Sequence, residues 1–231
     1  EMSTSDWSSD VCSSDLLEFI VVENNSTEQK TWAYYERIQK ELSCVRVVRW
    51  DGPFNFSAIN NFGVQAAAGD YLLFMNNDVE LINPDTLREM LGYAQRPDVG
   101  IVGCRLLYED DTIQHAGVVI GFGGIAGHCF IGLHEVQNSY FHRALTTQDY
   151  SAVTAACLLT KKELFLKVGG FTEELAVAFN DIDLCLKVRE TGALVVYNPY
   201  ALLHHYESKS RGLEDSQPRS EERRVGKECR S

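Results

Sequence analysis

Several features that would announce a familiar class of protein are missing from this chain. No apolar run is long enough to span a membrane, and the amino terminus lacks a basic segment followed by an apolar one, so neither a transmembrane helix nor a signal peptide is expected. Positive charge is scarce. With 21 Lys and Arg against 33 Asp and Glu the formal charge is −12, which excludes a non-specific nucleic-acid binder, because such a protein must neutralise phosphates with a basic surface. Any anionic substrate must be held by a metal or by a few local cations. The cysteines at 12, 44, 104, 129, 157, 185 and 229 are odd in number and scattered, with no Cys-x-x-Cys or Cys/His pairing of zinc spacing. Reduced thiols in a cytoplasmic protein are the expectation.

What is present is a sizeable core. The 231 residues are 45% hydrophobic and 10% aromatic, enough for one large α/β domain. The two ends read differently from the middle. Residues 1–16 contain a repeated Ser-Ser-Asp unit without amphipathic pattern, and 219–231 form a dense mixed-charge tail; both resemble translated adapter sequence and are set apart as non-native flanks. Without them 26 acids and 16 bases remain, a net of −10, so the acidity belongs to the domain expected over 17–218.

Inside that domain strands alternate with helices. Glu18–Val22 and Val45–Arg49 read as strands around a helix over 27–42, and Ser57 is the expected cap of a second helix that ends before Gly69. Tyr71–Met75 is apolar without alternation, as in a strand covered on both faces of a parallel sheet, and runs into Asn76-Asn77-Asp78. A helix opened by Asn83-Pro84, a strand over 99–107, an irregular segment from about 114 to 148 and a strand over 152–160 follow. Then come a short helix ended by Gly169-Gly170, a helix opened by Asn180-Asp181-Ile182-Asp183 and stopped at Gly192, and a strand over 194–197 closed by the turn Asn198-Pro199.

Three clusters carry possible chemistry. Asn76-Asn77-Asp78 is ordinary turn chemistry, yet a lone aspartate at the carboxyl end of a covered strand is positioned to hold a divalent cation against a phosphorylated ligand. Asp181 and Asp183 in a first helical turn are favoured by the macrodipole as caps, and one so fixed can also serve as a general base. In the segment His204 to Gly212, adjacent histidines are commonly packing residues, but with Lys209 and Arg211 close behind they supply an imidazole for a metal and cations for a diphosphate.

Together these residues resemble family 2 glycosyltransferases of the GT-A (nucleotide-diphospho-sugar transferase) fold. The resemblance runs over about 17–213, through Phe54-Asn55-Phe56-Ser57 to Asn61, Gly69-Asp70-Tyr71, Asn76 to Glu80 as a version of the Asp-x-Asp motif, and Gln114-His115-Ala116-Gly117. It continues through Gly169-Gly170-Phe171, Asn180 to Cys185, and His205 to Gly212. It implies a mostly parallel central sheet flanked by helices, and transfer of a sugar from a UDP- or dTDP-linked donor to a glycan or lipid-linked glycan acceptor with inversion. By the same resemblance Asp78 and His205 would hold Mg²⁺ or Mn²⁺, with Asn76 and Asn77 in the same loop. Asp181 would be the general base and Asp183 an orienting or capping partner. Glu23, Lys209 and Arg211 would contact the donor, Glu23 standing where the family often has an aspartate, and Asn61 would lie near the nucleoside, with helix packing as its alternative. A bacterial, cytoplasmic hexosyl or rhamnosyl transferase of polysaccharide building is implied, at the inner face of the membrane if regions outside this chain dock it there.

The family opens with a strand and a Pro-x-Tyr-Asn-like loop before the strand matched by 18–22. Here the adapter-like flank stands in that place, so the expectation is a domain lacking its first strand and weak in activity. Two other readings stay open at this stage: a nucleotidyltransferase, which usually carries a Gly-rich, Lys/Arg-containing loop after its first strand, and a catalytically inert carbohydrate-binding module on the same fold.

Overall fold

The computed structural model describes residues 16–134 and 139–206. In chain order the elements are β1 (Phe19–Glu23), α1 (Gln29–Glu41), β2 (Val45–Arg49), α2 (Phe56–Ala66), β3 (Tyr71–Met75), β4 (Val79–Leu81), α3 (Thr86–Ala94) and β5 (Val99–Leu107). They continue with β6 (Ile113–His115), β7 (Val118–Ile120), β8 (Ala126–His128), β9 (Gln148–Asp149), β10 (Cys157–Lys161), α4 (Lys162–Lys167), α5 (Asn180–Glu190) and β11 (Leu194–His205). Lys209, Arg211 and both flanks, apart from Leu16, lie outside the described residues.

β1 and β2 form a parallel pair of their own, packed on α2 where Gly63 lets the helix approach Val22. The other sheet runs β3-β10-β5-β11-β4, with β6 beside β5 and β9 beside β11. β3, β5 and β11 point the same way; β10 and β4 run against them. The chain leaves β5 at its carboxyl end, wanders there through β6 to β9 and re-enters as β10. Without a crossover helix to carry it back to the other end, β10 has to enter antiparallel. Tyr71–Met75 accordingly pairs with β10 at the border of this sheet instead of lying in its middle. All nine residues of β5 are buried, as befits the strand both apolar layers share. One layer centres on Phe74, Phe165, Phe171 and Tyr197, the other on Met90, Val102 and Leu203.

Two local expectations are corrected. Asn55, not Ser57, caps α2: its side chain accepts from the Ala58 amide at 3.0 Å, while the Ser57 hydroxyl donates to the Leu175 carbonyl. Asn198-Pro199 does not end the last strand. Asn198 makes a local Asx-type bond to the Tyr200 amide, as turn chemistry predicts, but the chain takes up the disturbance as a register shift against β5 and continues to His205. Cys104, Cys129, Cys157 and Cys185 are free thiols, as expected, whereas Cys44 is disulfide-bonded; chain spacing does not reveal which thiols a fold brings within reach. Among the described residues no helix is long and apolar enough to cross a membrane.

Candidate active site

The carboxyl end of β3 breaks into the turn Asn76-Asn77-Asp78, and the chain reverses into β4, which pairs with the last three residues of β11. The register sets Val79 opposite His205, so Asp78 and His205 become neighbours across two strands that are remote in sequence. The Tyr206 amide closes the corner by donating to the Asp78 carbonyl at 2.8 Å. His205 Nε2 then lies 3.2 Å from Asp78 Oδ1 and 3.3 Å from Asn76 Nδ2. Strand alternation sends His204 to the opposite face, where it pairs with Asp111 at 2.8 Å. Asn77 is exposed in the turn.

His205 is buried, and its ring is oriented from behind by Gln114 on β6. Gln114 Oε1 is 2.7 Å from His205 Nδ1, and Gln114 Nε2 donates to the His205 carbonyl at 3.3 Å. Asp78 Oδ1 is buried and, despite its closeness to the imidazole, has no hydrogen-bond partner. A buried carboxylate oxygen without a donor is costly, and this one faces the open side of an imidazole. An oxygen and a nitrogen donor converging in this way fit a divalent cation that completes its shell with phosphate oxygens and water. Among the described residues no group of three or more His, Cys, Asp or Glu could hold a metal by itself, so a cation here would depend on ligands brought by the substrate.

Asp181 sits in the first turn of α5, entered through Phe179 in the left-handed conformation (φ 62°). Its Oδ1 accepts from the Ile182 amide at 2.8 Å and its Oδ2 from the Ala155 amide at 3.2 Å. The next residue, Ala156, accepts from the Asn76 amide at 2.9 Å. Consecutive residues leading into β10 therefore carry Asp181 on one side and the Asp78 turn on the other. Asp183 is occupied locally, accepting from the Thr172 hydroxyl at 2.6 Å and pairing with Lys187 at 3.1 Å.

The remaining predicted residues part company. Glu23 ends β1 fully buried; its Oε1 accepts from the Ser26 amide at 2.5 Å and its Oε2 has no partner. It belongs to the β1–β2 pair and shares no hydrogen bond or ion pair with Asp78 or His205. Asn61 is engaged in packing. Its Nδ2 donates to the Phe171 carbonyl at 2.9 Å and to Glu173 at 3.0 Å, and its Oδ1 accepts from the Phe171 amide at 3.0 Å. Its amide clamps α2 to the Gly169-Gly170-Phe171 turn, the packing alternative, because Phe171 is buried and its backbone needs partners.

Two more groups surround the site. His115, wholly buried on β6, accepts from the Thr154 amide at 3.5 Å and lies 3.0 Å from His128 of the β7–β8 hairpin, nitrogen to nitrogen. Burial, with His128 and His205 adding to it, holds its imidazole well below the usual histidine range, so it stays neutral. The Tyr206 hydroxyl donates to Glu80 at 2.5 Å, a bond that with burial pushes it up to about 12. The Gln114 contact had only one sign in the sequence, the Gln114 to Gly117 block within the resemblance. Ala155 and Ala156 had none, since what they offer is backbone.

Residues 9–167 match the sequence profile of Glycosyl transferase family 2. The chain is 52% identical over 201 residues to uncharacterized protein y4gI of Sinorhizobium fredii, covering 87% of this chain and 22% of that protein. It is 43% identical over 197 residues to O-antigen biosynthesis protein RfbC of Myxococcus xanthus, covering 84% of this chain and 15% of RfbC. The chain thus spans about a fifth or less of the length of these relatives. Among solved structures, GalNAc-T7 superposes with a TM-score of 0.64 at 12% identity over 83% of this chain and 38% of its own. A mannosyltransferase from Pyrobaculum calidifontis superposes with a TM-score of 0.59 at 18% identity over 85% of this chain and 49% of its own. At such identities the likeness speaks for the fold, which is that of GT-A glycosyltransferases.

Proposed function

The chain belongs to Glycosyl transferase family 2, and from that premise we propose that it transfers a sugar from a nucleotide diphosphate donor to an acceptor hydroxyl, with inversion, using a divalent cation held by Asp78 and His205. The observation that carries the reading is the buried Oδ1 of Asp78, which has no hydrogen bond and lies 3.2 Å from the Nε2 of a histidine whose other nitrogen is occupied. The solved GT-A neighbours support it, being described with UDP and Mn²⁺ and with GDP-mannose and Mn²⁺. RfbC supports a place in O-antigen building, and a mycobacterial relative 26% identical over 161 residues is a rhamnosyltransferase acting on a decaprenol-linked acceptor. A bacterial surface glycan is therefore the proposed acceptor class, and Mg²⁺ or Mn²⁺ the proposed cation.

When bound, the cation supplies Lewis-acid neutralisation of the charge on the departing diphosphate. Asn76 donates toward the same corner and lines the diphosphate side. Asp181 takes the proton of the acceptor hydroxyl as that oxygen bonds to the anomeric carbon, and the bond from that carbon to the diphosphate breaks with its electron pair on the leaving group. Two backbone amides hold the Asp181 carboxylate while leaving lone pairs for the incoming proton. Asp183, spent on Thr172 and Lys187, steadies the turn that presents Asp181. Glu23, an acceptor-only carboxylate with one buried oxygen uncommitted, is the proposed reader of an N–H on the donor base.

The test is metal-dependent protection. UDP, dTDP and GDP are titrated with and without Mn²⁺ while the thermal midpoint is followed. A nucleotide at 100 times its Kd stabilises the native state by about 2.7 kcal/mol, a shift of several degrees. Protection should require the cation and vanish in Asp78→Ala. Equal protection in that variant removes the reading.

A further inference from the structure

The Gln114-His115 pair has no role in the chemistry above, yet Gln114 is the residue that touches the imidazole of His205. We propose that Gln114 is a positioning residue that locks His205 in the tautomer with hydrogen on Nδ1, leaving Nε2 without hydrogen toward Asp78, its lone pair accepting from the Asn76 amino group at 3.3 Å and able to exchange that bond for a divalent cation. The proposal rests on the metal assignment of the previous section.

The amide orientation of Gln114 follows from its partners. One end lies 3.3 Å from the His205 carbonyl oxygen, which can only accept, so that end is the amino group. The other end is therefore the carbonyl oxygen, 2.7 Å from His205 Nδ1, and it too can only accept. Nδ1 must carry the proton. In the neutral ring the proton is then absent from Nε2, the atom 3.3 Å from the Asn76 amino group and 3.2 Å from Asp78 Oδ1.

Gln114 is itself held firmly. It is 4% exposed, and the strand residues on either side of it, Ile113 and His115, pair with Leu107 and Leu106 of β5. The Ile113 amide donates to the Leu133 carbonyl at 2.7 Å, and the Ile113 carbonyl accepts from Gly132 at 2.8 Å. A metal-binding histidine typically has its remote nitrogen bonded to an oxygen acceptor that sets the tautomer and raises ligand basicity. Here a neutral amide fills that place, and its second bond, to the backbone of the same histidine, fixes the ring and main chain together.

The experiment compares wild type, Gln114→Met, Gln114→Glu and Asp78→Ala, each as the full chain. Mn²⁺ affinity is measured without nucleotide from the electron paramagnetic resonance of free Mn²⁺, and the His205 tautomer is read in metal-free protein from its ¹⁵N shifts. Wild type should show the Nδ1–H form. Gln114→Met, similar in length but without the acceptor, should move His205 to the Nε2–H form and weaken Mn²⁺ binding about 10- to 100-fold. Gln114→Glu should keep the tautomer and bind within a few-fold of wild type, and the metal-free thermal midpoint reports whether each variant is folded. An Nε2–H ring in wild type overturns the proposal, as does wild-type Mn²⁺ affinity in Gln114→Met alongside its loss in Asp78→Ala. Unchanged Mn²⁺ affinity in Asp78→Ala instead refutes the metal assignment, a separate failure from that of the tautomer.

Discussion

Asp181→Asn separates the chemistry of this site from its architecture. The carboxylate accepts from two backbone amides, Ile182 at 2.8 Å and Ala155 at 3.2 Å. Asparagine has one carbonyl oxygen, so it keeps the shorter bond and turns its amino group toward the Ala155 N–H. One backbone donor then loses its acceptor, at a cost of about 1–3 kcal/mol. For a domain of this size that corresponds to a fall of about 2–4 °C in Tm per kcal/mol. The chemical loss should be larger in kind: removing a general base costs about 10²- to 10⁴-fold in kcat. Donor binding should persist, because neither Asp78 nor His205 is touched. The assays are sugar transfer under saturating donor, Mn²⁺-dependent UDP protection, and the thermal midpoint. A variant whose kcat stays within threefold of wild type refutes Asp181 as the base. One that loses UDP protection while remaining folded shows that Asp181 serves binding.

Asn61→Ala should lower the thermal midpoint by several degrees, since it strips partners from the buried Phe171 backbone for about 1–3 kcal/mol, while the folded protein keeps its nucleotide affinity; a tenfold loss of affinity at an unchanged midpoint would restore a nucleoside contact. His115 links stability to pH. Its native imidazole resists protonation relative to the unfolded value of 6.5, so below about pH 6.5 the unfolded chain takes up a proton that the native state refuses. Stability should be level above that pH and fall below it, by at most about 1.4 kcal/mol per pH unit, until the native ring itself protonates. Urea midpoints between pH 8 and 5 would show the slope, and His115→Phe should flatten it; an equal slope in the variant refutes the assignment.

How much of this could be read from the chain depends on the range of the forces involved. The strands 45–49 and 99–107 appear with the predicted bounds because their apolar runs are local and sharply ended. The prediction for the last strand stopped at Asn198-Pro199. The local chemistry is indeed that of a turn, but pairing with β5 and β4 carries the strand through it. The segment 114–148 gave little periodicity, since its strands are two or three residues long, too short to show a period, and β9 exists only by pairing with the distant β11. Asn61 keeps two readings in the sequence because an amide bonded to a backbone and an amide free for a ligand look the same in a motif. Lys209 and Arg211 lie outside the described residues, so their part in holding a diphosphate stays a proposal.

Composition, hydrophobic period and side-chain chemistry act over a few residues, and from them alone come the α/β alternation, the acidic balance, and the three clusters around Asp78, Asp181 and His205; the choice of Asp181 over Asp183 and of His205 over His204 comes from the family resemblance. Contacts between residues far apart in the chain depend on strand register, which is settled by the whole core packing at once. The pairing of β4 with β11 turned His205 toward Asp78 and His204 away, and β6 brought Gln114 behind the ring. Entry into β10 through Ala155 and Ala156 joined Asp181 to the Asn76 turn. A one-residue slip in any of these ladders would send the same side chains to the opposite face, and no local pattern in the chain forbids it.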